Sequence, residues 1–90
     1  MKPVSPEFLD EMFFDTDVWF IEPRDRFDTA IVGAVGRVNL GPVPCYDVER
    51  VIGVLVEDGM GRVEAEEWFS FNIACAWYGD GTPVFLVRGE

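Results

Sequence analysis

The sequence predicts an α+β fold: a small sheet of short strands, an antiparallel helical hairpin and a short N-terminal helix. Three observations lead there. Apolar residues recur at helical spacing through 48–58 and again through 62–77, on either side of a Gly59–Met60–Gly61 turn. Short apolar runs bounded by Pro or Gly, at Val18–Ile21, Val43–Tyr46 and Val84–Val87, read as strands. The 90 residues, 49% hydrophobic with eight Phe and three Trp, suffice for one folded domain, 1–90, and leave no room for a second core. A domain of this size has a stability on the order of 5–10 kcal/mol.

Taken in order, Ser5–Pro6–Glu7 has the form of a helix start, with a hydroxyl cap, Pro in the first turn and an acid beside it. Phe8, Leu9, Met12 and Phe13 then share one face of a helix ending near Phe14. Val18–Ile21 follows as a short strand stopped by Pro23. The stretch 27–38 is read as a helix, because Asn39–Leu40–Gly41–Pro42 makes a natural helix exit. Against that reading, Gly33 and Gly36 each cost about 1 kcal/mol in a helix interior, and the β-branched content favours a strand.

Asp47 is an N-cap, and Val48, Val51, Ile52 and Leu55 define a helix over 48–58 with Gly59 just past its end. The last helix, Arg62–Trp77, carries the stripe Ala65, Trp68, Phe69, Asn72, Ile73 and Ala76, with Glu64, Glu67 and Ser70 outside it. Tyr78–Pro83 breaks the helix. Val84–Val87 closes the sheet by pairing with Val43–Tyr46 or Val18–Ile21.

The charge is lopsided: 17 carboxylates, 7 bases and no His give −10 at pH 7. A field of that sign repels nucleic acid and anionic membrane, so neither is expected as a direct partner. It promotes solubility and speeds encounter with basic proteins. The first 22 residues hold six acids against Lys2, a balance of −5. A charge-driven binding surface is therefore sought at Glu7, Asp10, Glu11, Asp15 and Asp17.

Cys45 and Cys75 lie inside apolar segments and read as reduced and buried, in a cytoplasmic protein. The sequence shows no secretory pattern, and its apolar runs are far too short to span a bilayer. With no His and two distant Cys, no metal and no cofactor are expected. Glu64 and Glu67, three apart on a helix, have the spacing to flank a cation, but a solvated acidic face explains them as well. No nucleophile elbow, phosphate loop or dinucleotide fingerprint is present, and Cys45 or Ser70 would lack a His base, so no catalytic residue is assigned.

Two features invite a binding role. Asn72, on the apolar side of the last helix, must find hydrogen-bond partners within the fold or on a ligand. Trp77 and Tyr78, beside a Gly-rich loop, either complete the core or anchor an interface.

The run Tyr46-Asp47, Gly59-Met60, Glu64-Ala65, Glu67-Trp68-Phe69, Phe71-Asn72, Ala76-Trp77, Gly79 and Thr82-Pro83 resembles a family of small uncharacterised bacteriophage proteins over residues 27–86. Arg62 departs from that pattern, which tends to place Ser or Thr there as a helix cap. The resemblance implies phage origin and expression in the cytoplasm of a host cell, and it carries no activity or functional residue with it.

Together these observations lead us to expect an accessory protein that binds a host or phage protein, such as a nucleic-acid-binding or defence complex inhibited through the acidic surface. Two other classes compete. One is a small enzyme or nucleotide-binding protein using the 78–83 loop with Glu64, Glu67 and Asn72. The other is a homo-oligomeric structural protein, with a second copy of the chain as partner.

Overall fold

The computed structural model describes residues 2–89. The chain runs α1 (Pro6–Met12), α2 (Arg24–Phe27) with a 3-10 turn at Asp28–Ala30, β1 (Ile31–Arg37), β2 (Leu40–Asp47), α3 (Val48–Glu57), α4 (Arg62–Phe69) with a π-helical turn at Ser70–Ala74, and β3 (Val84–Leu86). The strands form one mixed sheet in the order β1-β2-β3, with β1–β2 antiparallel and β2–β3 parallel. Between β2 and β3 the chain passes through the α3–α4 hairpin, the long connection that a parallel neighbour requires. The fold is α+β.

In α1, the Ser5 side chain accepts the Phe8 N–H at 3.1 Å, Pro occupies the first turn, and Leu9 is buried. The expected helix over 27–38 is corrected. Its first residues finish α2 and the 3-10 turn, and Ile31–Arg37 is a strand. Asn39, at φ 61°, occupies the left-handed region in the turn that pairs Arg37 with Leu40. An Asn suited to that conformation serves a hairpin turn as readily as a helix end. The cost of Gly33 and Gly36 in a helix then decides for the strand. Pro42 and Pro44 lie in the part of β2 that β3, pairing only from Cys45, leaves uncovered, where a missing amide is tolerated.

Val18–Ile21 is also corrected: it forms no strand and joins no ladder among the described residues. The Trp19 N–H donates to the Gly81 carbonyl at 3.0 Å and the Ile21 N–H to the Tyr46 hydroxyl at 2.8 Å. Its backbone bonds are thus taken by a loop and a side chain, not by a neighbouring strand.

Asp47 caps α3 by accepting the Glu49 N–H at 3.1 Å, and Gly59 follows the helix at φ 110°. The Asp47 carboxylate is fully buried, with Arg88 Nε at 3.1 Å and Arg50 Nε at 3.5 Å. It joins the end of β2, the start of α3 and the chain beyond β3. Arg62 links the two helices of the hairpin, bonding Glu49 at 2.9 Å and Glu66 at 3.1 Å.

The last helix is shorter than expected: α4 ends at Phe69, the wider turn ends at Ala74, and Cys75–Trp77 lie outside it. Its stripe also divides. Ala65, Phe69 and Ile73 enter the core, packing with Ile31, Tyr46 and the α3 face of Val51, Ile52 and Leu55. Trp68 and Asn72 are exposed, so the residues read as one buried face are two adjacent ones. Both cysteines are free. Cys45 is buried in β2, whereas Cys75 is exposed, contrary to the sequence reading.

Among the described residues, no helix is long and apolar enough to cross a membrane.

Candidate functional site

The divided stripe creates a cleft of about 260 Å³. One wall is the segment Trp19–Glu22. The second is Trp68, Asn72, Ile73 and Ala76 from α4 and the turns after it. The third is Tyr78, Thr82, Pro83 and Phe85 from the closing loop and β3. Trp68 in α4 and Asn72 in the π-helical turn stand four residues apart, and Ala76 follows just beyond that turn.

Each wall is fixed by contacts to the core. Phe85 stacks on Tyr46 at 5.8 Å and meets Phe69 edge-on at 5.2 Å. Phe20 meets Phe13 edge-on at 5.7 Å. Burial pushes the Tyr46 hydroxyl far above its usual pKa, so it stays protonated while accepting the Ile21 amide. The closing loop is held by Thr82, whose hydroxyl accepts the Tyr78 N–H and donates to the Gly79 carbonyl, both at 2.7 Å. Gly79 sits at φ 88°. Gly81 is required for another reason: a Cβ there would collide with the Asp17 carbonyl oxygen and come within 2.9 Å of Val18 Cα. The loop therefore lies directly on the segment that carries Trp19.

The mouth of the cleft is aromatic. Trp19 and Tyr78 stack at 4.7 Å and are 50% and 51% exposed; Trp68 is 40% exposed and Trp77, beside Tyr78, 72% exposed. All three tryptophans of the chain thus meet solvent, although Trp is highly buried on average. The lining holds one charged group, Glu22.

The other predicted residues divide by location. Asn72 rims the cleft, its amide donating to the Trp68 carbonyl at 3.1 Å; it is exposed, not set on a buried apolar side. Tyr78 lines the cleft and Trp77 follows the turn leading into it. Glu7, Asp10 and Glu11 are exposed on α1, and Asp15 and Asp17 are exposed in the turn beyond it, with Asp15 at φ 55°. Among the described residues these five form no ion pair. The arginines are engaged elsewhere: Arg24 with Asp28, Arg26 with Asp58, Arg50 and Arg88 with Asp47, Arg62 with Glu49 and Glu66, and Arg37 with the Gly41 carbonyl. The field around the molecule is consequently that of unpaired carboxylates.

Sequence reasoning missed Trp19, Glu22, Trp68 and Phe85 as site residues. The available signal was the 68–72–76 spacing, which fits a second face as well as a broad single one. Among the described residues, no three His, Cys, Asp or Glu side chains converge as metal ligands would. Comparison with protein-family models, with curated proteins and with solved structures finds no match for this chain.

Proposed function

We propose that this chain is an accessory protein that binds another protein, with the aromatic cleft as its docking site and the acidic surface as its steering field. The observation that carries the reading is the exposure of all three tryptophans, two of them on the cleft wall. Exposed aromatic side chains around an apolar depression are costly in a monomer and supply the anchors of protein interfaces. The net charge of −10 favours a basic partner, nucleic-acid-binding proteins among them. The resemblance of residues 27–86 to small phage proteins fits such a role in the cytoplasm of a host cell, where binding would inhibit a host or defence complex.

The test is affinity capture with three forms of the chain. The natural sequence and a Glu7→Gln/Asp10→Asn/Glu11→Gln variant retain the same partner, the variant more slowly and with weaker salt dependence. A Trp68→Ala/Tyr78→Ala variant loses it. Equal capture by all three forms would show that the cleft is not the docking site.

A further inference from the structure

We propose that the cleft receives an arginine or lysine side chain from a segment of the partner protein, its charge held against the aromatic rings and neutralised by Glu22. The inference rests on the cleft being a protein-docking site and specifies the chemistry it recognises. Glu22 is the one charged residue on the lining, and none of the ion pairs among the described residues includes it. A lining that combines indole, phenol and phenyl side chains with a single acidic residue suits a cation, because ring faces carry negative charge density and a carboxylate supplies counter-charge.

A cation on an aromatic face already occurs next to the cleft: the Arg24 guanidinium, paired with Asp28, lies 3.8 Å from the centroid of the Phe20 ring, and Phe20 also lines the cleft. The volume of about 260 Å³ leaves room for one long side chain. The charge of −10 raises the local concentration of basic segments and disfavours acidic ones. A second copy of this chain is a poor occupant by the same argument, since two such surfaces repel.

Selection of a displayed library of random linear peptides on the full chain tests the inference. Enriched peptides share Arg or Lys at one fixed position, quench tryptophan fluorescence and bind more weakly as ionic strength rises. Replacing that residue by norleucine weakens binding about tenfold. Glu22→Gln has a similar effect and flattens the salt dependence, while circular dichroism confirms that the variant is folded. Binders that are lost in Trp68→Ala but carry no basic residue would overturn the cationic assignment and leave the docking site standing. A library yielding no cleft binder, or sedimentation showing a dimer that covers Trp19 and Trp68, would overturn both.

Discussion

The Tyr46 hydroxyl, buried under the sheet, accepts the Ile21 amide at 2.8 Å and so ties the outer wall of the cleft to the central strand. Tyr46→Phe keeps the ring and removes the acceptor. The expected loss is about 1 kcal/mol of stability by urea denaturation, together with faster exchange of the Ile21 amide. Unchanged exchange at Ile21 would show that other contacts hold this segment.

The same hydroxyl makes stability depend on alkaline pH. Burial raises its pKa in the folded state above the unfolded value of about 10. The unfolded chain therefore loses this proton first, and the stability linked to it, complete below that value, declines as pH rises through and beyond it. Denaturation midpoints should fall above about pH 10 in the natural protein, and fall less in Tyr46→Phe.

Gly81→Ala tests the close approach of the closing loop to Asp17 and Val18. With no room for a Cβ, the loop and the Trp19 segment must separate, breaking the Trp19–Gly81 backbone bond. The expectation is a loss of about 1–3 kcal/mol, a red shift in tryptophan emission and weakened partner binding. Gly33→Ala, where a Cβ meets nothing within 4 Å, is the control.

Asp47→Ala removes the α3 cap and leaves two arginines without their shared carboxylate. A loss of about 3 kcal/mol is expected, a large part of the stability of a domain this small. Guanidinium titration monitored by circular dichroism measures it.

The cysteines should differ sharply toward a thiol reagent. Cys75 is exposed and reacts in the folded state. Cys45 is buried, and burial together with the Asp47 carboxylate raises its pKa, which keeps the less reactive thiol form. Mass spectrometry after brief alkylation should find one modification, at Cys75, and a second only in denaturant.

The sequence discloses what local chemistry decides. The Ser5 and Asp47 caps, the Gly59 stop and the α3 face at Val51, Ile52 and Leu55 follow from side chains acting on their own neighbourhood. The pairing of Val84–Leu86 with the Cys45–Asp47 end of β2 was one of the two alternatives foreseen. The errors lie where a residue serves two structures equally. Asn39 suits a helix exit and a hairpin turn, and Val18–Ile21 is apolar enough for a strand but finds a hydroxyl and a loop carbonyl instead. The cleft was only partly legible. Asn72, Trp77 and Tyr78 pointed to its region, but the split of the 65–76 stripe depends on how much of that face the sheet can cover, which no local pattern encodes.

Hydrogen exchange of the chain, alone and bound to its captured partner, separates docking in the aromatic cleft from docking on the acidic N-terminal surface. Docking in the cleft gives protection at Trp19–Glu22 and across Trp68–Phe85 and leaves Glu7–Asp17 unchanged. Protection confined to Glu7–Asp17, with the cleft exchanging freely in the complex, would contradict it.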